Sequence, residues 1–265
     1  MSEPRFFNSA VVRIPERLLL RQGSWRPIPI GVRYGLVIHP TLGPVLIDTG
    51  YGPRAVRGPQ RSALLKVYGA VLRPKLIDDA LPFAMLGQLG FGGADVRRIV
   101  VTHFHPDHVA TLLDFPSASF VTSQTAWQRI QSMSAFGRAR RGIFLELLPA
   151  DFDARIVPIE SCPLRPLPFG LGSGHDIWGD GSCLTVDLPG HAVGHFGLVW
   201  PSLDPPLFYA TDATWLSKAL DDRLPRGLAK SVYEDEASMR ASVTILQAFR
   251  RAGGRVVLCH DRVPA

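Results

Sequence analysis

Residues 97–113 read RRIVVTHFHPDHVATLL and place His103, His105, Asp107 and His108 within six positions, between two apolar runs. The whole chain has eight histidines. Chance would assemble this His-x-His-x-Asp-His pattern on the order of 10⁻⁴ times in a chain of this composition, so scattered surface histidine does not account for it. The His-x-His alternation sets two imidazoles a short step apart as a strand gives way to a loop. Pro106 suits the first position of a helix, where its missing N–H has no partner anyway. Asp107 and His108 then fall in the first helical turn, aimed at a second nearby point. Two ligand clusters joined by a tight turn suit two cations about 3.5–4 Å apart, the spacing of hydrolytic two-metal sites. Imidazole and carboxylate without thiolate favour zinc, with iron, manganese or cobalt as alternatives.

Such ligands must be gathered by rigid elements. Strands are expected at AVVRIP (10–15), RYGLVIH (33–39), VLIDTG (45–50), RIVVTH (98–103) and ASFVTS (118–123). The series continues at CLTVDLP (183–189), HFGLVWP (195–201), LFYATD (207–212) and RVVLCH (255–260). Several deliver a ligand-type residue at their C-terminal end: His103, Asp212 and His260, with His191 just past a fourth. Helices are expected over LIDDALPFAMLGQLG, over SQTAWQRIQSM and over 231–254, where Met239, Val243, Leu246 and Phe249 share a face and acids precede bases. Short strands with interspersed helices suggest sheet packed on sheet with helices outside.

Composition narrows the function classes. A chain of 265 residues with 46% hydrophobic and 20% charged residues can bury a sizeable core. The net charge of +6 comes mostly from scattered arginine, apart from GRARRG at 137–142, which does not resemble a nucleic-acid stripe. The three cysteines (Cys162, Cys183, Cys259) are an odd number without CxxC spacing, so neither a disulfide framework nor a thiolate zinc site is expected. No signal-like N-terminus and no apolar run near ~20 residues is present. The expected location is cytoplasmic.

At superfamily level the motifs resemble one family. THFHPDH is similar to the signature of the metallo-β-lactamase superfamily, and LPGHAVGH, YATDATW, LCHDR and the early VLIDTG follow in order. The resemblance implies one α/β (α+β) domain over 1–265, an αββα sandwich of two mixed sheets packed face to face with helices outside. Within the superfamily the chain looks most like the N-acyl-homoserine lactone lactonases. That likeness implies one metal held by His103, His105 and His191. It implies a second held by Asp107, His108 and His260, with Asp212 and a hydroxide bridging the two. Three features depart from the lactonase pattern. Ala110–Thr111 stands where two glycines are usual, Trp215 where a tyrosine helps bind the substrate carbonyl, and the N-terminal loop and the 51–80 segment differ in composition.

The reaction expected is hydrolysis of a lactone or related carboxylic ester by a hydroxide shared between two divalent ions, most simply Zn²⁺. Asp107 is the candidate proton shuttle. Trp215 can donate through its indole N–H but cannot accept. Asp48 either orients a ligand imidazole or only forms an Asp-Thr-Gly turn. His195 is expected to be buried, structural or supporting a ligand; His39, His175 and Cys259 are expected to be structural. The apolar 51–92 region, with Tyr51, Tyr68 and Phe83, is expected to wall the substrate cleft. The partner is then a small apolar acyl or aromatic lactone or ester, with neither nucleic acid nor membrane; a homodimer is left open. Rival readings are a phosphodiesterase or phosphotriesterase, a thioester hydrolase, and a non-catalytic metal-binding sensor.

Overall fold

The computed structural model describes residues 3–221, 224 and 234–263. They form two compact units. Unit 1 takes residues 3–13, 29–122 and 127–157; unit 2 takes 14–28, 123–126 and the described residues from 158 onward.

Unit 1 is built on seven strands: β1 (Arg5–Pro15), β2 (Pro27–His39), β3 (Gly43–Ile47), β4 (Lys75–Leu76), β5 (Arg98–Val100), β6 (Ser119–Thr122) and β7 (Ile156–Pro158), in the order β4-β1-β2-β3-β5-β6-β7. β2 and β3 pair antiparallel, with His39 opposite Gly43. β3, β5 and β6 run parallel, Ile47 beside Val100 and Val100 beside Val121. Those parallel strands are almost wholly buried, as continuous apolar runs in a parallel sheet should be.

Unit 2 holds β8 (Leu164–Pro166) paired with β9 (Ser173–His175), and the sheet β10 (Leu184–Asp187), β11 (Phe196–Trp200), β12 (Leu207–Tyr209), β13 (Arg255–Val257) in that order. β12 and β13 are parallel, the other pairs antiparallel.

The helices are α1 (Glu16–Leu19), α2 (Pro53–Val56), α3 (Ala63–Leu72), α4 (Pro82–Gln88), α5 (Pro106–Val109), α6 (Gln124–Ser132), α7 (Ala135–Arg140) and α8 (Glu236–Arg251). Met239, Val243, Leu246 and Phe249 of α8 are buried with Leu184, Val186, Val199, Phe208 and Leu258 in one apolar cluster. Each such side chain contributes roughly 1.5–3 kcal/mol when buried. Asp235 caps the helix by accepting from the backbone N–H groups of Ala237 and Ser238. The helix therefore begins at Glu236, later than the sequence pattern suggests, and residues 231–233 lie outside those described.

The helix expected over LIDDALPFAMLGQLG is shorter than its apolar pattern. A 3₁₀ turn at Asp78–Ala80 precedes α4, which starts at Pro82. Proline cannot sit inside a helix without losing a hydrogen bond, and Leu81 before it is extended at φ −66°, ψ 152°. Among the described residues, no helix is long and apolar enough to cross a membrane.

Candidate metal centre

Each unit carries one cluster of the expected ligands. In unit 1, β5 ends at Val100, and His103 follows three residues later. Phe104 is buried against Trp127 (5.6 Å) and Phe152 (5.8 Å). His103 Nε2 and His105 Nδ1 lie 3.1 Å apart. Pro106 opens α5 at its first position, as expected, and the N–H of His108 closes the turn on the His105 carbonyl at 2.9 Å.

The protonation sites follow from the partners. His105 Nε2 lies 2.9 Å from the Arg141 carbonyl. A carbonyl only accepts, so this nitrogen carries the hydrogen and Nδ1 keeps the lone pair. His108 Nδ1 lies 2.8 Å from Asp48 Oδ2, both side chains fully buried. Asp48 also accepts from the Thr102 N–H at 2.9 Å and the Thr102 hydroxyl at 2.8 Å. This arrangement leaves His108 Nε2 with the lone pair, 3.8 Å from Asp107 Oδ2. Asp48 thus both forms the turn, at φ +55°, and holds an imidazole.

In unit 2, Asp212 follows the end of β12 by three residues and His260 follows β13 by three, while His191 comes four after β10. The ligand-type residues sit just beyond the strand ends rather than on them. His191 Nε2 and His260 Nε2 each lie 3.3 Å from the same oxygen, Asp212 Oδ2. His195 is buried; its Nδ1 meets the Leu188 carbonyl at 2.7 Å, and its Nε2 meets the Thr211 hydroxyl. Thr211 is buried at φ +46°, a left-handed backbone that a β-branched residue rarely adopts. The His195 contact and this strained turn together fix the backbone that presents Asp212. Trp215 packs its ring 5.0 Å from His260 and 6.5 Å from His191. Its Nε1 is buried with no hydrogen-bond partner among the described residues.

The distances test whether these groups suit cations. Two ligands on a tetrahedral zinc at ~2.05 Å stand about 3.3 Å apart. The observed separations of 3.1, 3.3 and 3.3 Å match that edge. The side chains are almost wholly buried, His105 least so. In both units the residues fit divalent metal.

Other expectations resolve differently. His39 Nδ1 takes up the turn after β2 through Thr41 and Leu42, and His175 Nδ1 contacts the Cys162 carbonyl at 2.9 Å; both are structural. Cys259 is buried, but its Sγ lies within 4.8 Å of ligand atoms of Asp212 and His260, closer to the cluster than a core reading implies. Thr111, where glycine is usual, is accommodated by Gly52: a Cβ there would meet Thr111 Cγ2 at 2.3 Å. Of the three aromatics expected in the cleft wall, Tyr51 is buried and Phe83 faces outward. Tyr68 lies near His105 through Gly142, whose added Cβ would stand 3.1 Å from the His105 ring and 3.5 Å from that of Tyr68. The sequence reading missed Thr102, Thr211 and Gly142. The two threonines immediately precede His103 and Asp212, which was their only signal.

The chain belongs to the metallo-beta-lactamase superfamily, whose family model matches residues 31–228. It is a hydrolase of that superfamily, with its mixed α/β fold. It is 26% identical over 253 residues to the N-acyl homoserine lactonase AttM of Azorhizobium caulinodans, covering 91% of this chain and 86% of that one. It is 31% identical over 194 residues to "Probable metallo-hydrolase Rv2300c" of Mycobacterium tuberculosis, covering 71% of this chain and 58% of that one. Among solved structures, an AiiA variant of B. thuringiensis with N-decanoyl-L-homoserine at its active site aligns with TM-score 0.70 and 16% identity, over 97% of this chain and 92% of that one. At that identity the likeness concerns the fold.

Proposed function

We propose that the chain acts as a single hydrolase domain in which the two ligand clusters serve one dinuclear centre, opening lactones or cleaving related carboxylic esters. His103, His105 and His191 would hold one ion and Asp107, His108 and His260 the other, with Asp212 shared. The observation that carries this reading is Asp212 Oδ2, which faces two imidazole nitrogens at 3.3 Å each. One carboxylate oxygen set between two lone-pair donors is suited to shared cation binding. Bound zinc, or iron, manganese or cobalt in its place, supplies Lewis acidity and makes hydroxide available near neutral pH.

The remaining work falls to the chain's own groups. Asp48 keeps His108 in the tautomer a ligand needs. Trp215 offers an indole N–H to the substrate carbonyl; a buried donor left unsatisfied costs about 1–3 kcal/mol, and an accepting carbonyl relieves that cost. Asp107, buried beside His108, would take the proton of the O–H group that the attack adds to the acyl carbon and relay it to the oxygen that departs when the acyl C–O bond breaks. Water is thereby divided between a carboxylate and an alcohol. The substrate class draws support from the AttM and AiiA relatives, and a cytoplasmic setting suits the free cysteines.

The test is metal analysis of the purified protein combined with turnover on lactone, carboxyl ester, phosphodiester and thioester panels. Two ions per chain and fastest turnover of lactone or ester are expected, with Asp212→Ala losing both ions and activity. Fewer than two ions, unchanged turnover in Asp212→Ala, or trace lactone turnover beside fast phosphodiester cleavage would overturn the reading.

A further inference from the structure

Helix α3 (ALLKVYGAVL) carries one charge in ten residues, and only Leu65 among them is buried. Leu64, Val67 and Val71 are 46%, 60% and 75% exposed. Their spacing of three and four puts them on one helical face, and that face looks outward. A second segment lies beside it. Tyr68 of α3 packs on Phe144 at 5.5 Å, and Glu146 accepts from the Ser62 N–H at the α3 N-cap, so the chain leaving α7 runs against α3. Phe136 on α7 is 71% exposed.

The charges carried by α3 and by the segment that runs against it are almost all of one sign. Residues 61–73 contain Arg61, Lys66 and Arg73 and no acid; residues 134–146 contain Arg138, Arg140 and Arg141 against Glu146 alone. Glu146 is already engaged with the α3 N-cap. We propose that this outward face of α3 is a peripheral docking site for an anionic lipid bilayer, with Leu64, Val67 and Val71 entering the headgroup boundary and the cations of α3 and of the segment beside it meeting lipid phosphates. A short apolar stripe rimmed by Lys and Arg is what interfacial binding requires. A second copy of the chain fits less well. A symmetric contact would set these cations against themselves, and three apolar side chains fall short of the ~1,200 Å² a stable interface buries. This inference departs from the sequence expectation of no membrane partner, and it stands apart from the reaction proposed above because its readout involves no turnover.

The experiment is co-sedimentation of the metal-loaded protein with vesicles of phosphatidylcholine alone or mixed equally with phosphatidylglycerol. Binding to the anionic vesicles is expected, with little to the zwitterionic ones, and a decline as salt rises. Val67→Glu with Val71→Glu, and separately Lys66→Glu with Arg140→Glu, should each lower the partition coefficient by more than about tenfold. Circular dichroism and metal content check that both variants are folded. No preference for anionic vesicles, or partitioning untouched by the charge reversals, overturns the proposal. So does a concentration-dependent dimer that Val67→Glu with Val71→Glu abolishes, which would assign the face to a second copy.

Discussion

Asp48 and His108 are sixty residues apart in sequence, yet Oδ2 of one lies 2.8 Å from Nδ1 of the other with both side chains fully buried. The imidazole is thereby committed to one tautomer. Asp48→Asn is the informative change, because asparagine tolerates the left-handed backbone that Asp48 adopts at φ +55°. It alters the acceptor without disturbing the turn. Affinity for the ion proposed at His108 should fall roughly 10–100-fold, read by chelator competition. Unchanged affinity would reduce Asp48 to a turn residue.

Trp215 invites a pair of substitutions. Trp215→Phe keeps an aromatic wall beside His260 but removes the donor, and should lower kcat/KM for lactones by roughly tenfold, the cost of one lost hydrogen bond. Trp215→Tyr restores a donor and should raise lactone turnover above that of the parent. If Phe and Trp perform alike in steady-state assays, the indole N–H takes no part in substrate binding.

Phe249 anchors α8. Its ring meets Phe208 and Phe169 edge-on, each at 5.2 Å, and it is fully buried. Phe249→Ala should destabilise the protein by about 3–5 kcal/mol through lost burial and a residual cavity, measurable by denaturant unfolding. A loss under ~1 kcal/mol would mean that neighbours collapse into the space.

Glu160 gives a pH signature. Burial pushes its carboxyl upward, but this is outweighed by hydrogen bonds from the Ser123 hydroxyl and from the N–H groups of Gln124 and Thr125, so the net shift is downward. A carboxylate depressed in the folded state contributes stability above its unfolded pKa and loses it as pH falls through the folded value. Wild type should therefore lose stability on acidification below about pH 4.5 more steeply than Glu160→Gln. Parallel thermal-midpoint curves for the two proteins over that range would mean that these hydrogen bonds to Glu160 add nothing to stability.

Much of this architecture can be read from residue order. Each strand expected from an apolar or β-branched run is present, and Pro106 begins its helix where a proline should. The ligand-type residues lie three or four positions past the strand ends because the last paired residue is set by ladder hydrogen bonds, which side-chain pattern does not report. Short elements such as β4 and β8 carry too few residues for any periodicity. The contacts that orient ligands were the least legible. Asp48 reaches His108 across sixty positions, and Gly142 matters because a Cβ there would stand 3.1 Å from the His105 ring. Only folding brings those partners together.

The backbone on which His191 depends is tied to α8. The Asp235 N–H bonds the Gly190 carbonyl at 3.1 Å and the Ser242 hydroxyl bonds that of Pro189 at 2.7 Å, while Gly190 sits so close that a Cβ would strike the Met239 nitrogen at 2.2 Å. The last helix therefore braces the backbone beside one imidazole, and if His191 holds an ion as proposed above, ion retention and helix order would form a single linked equilibrium. On that reading, fraying at the start of α8 would loosen the hold on a cation, and a captured cation would in turn tighten a helix that never touches it.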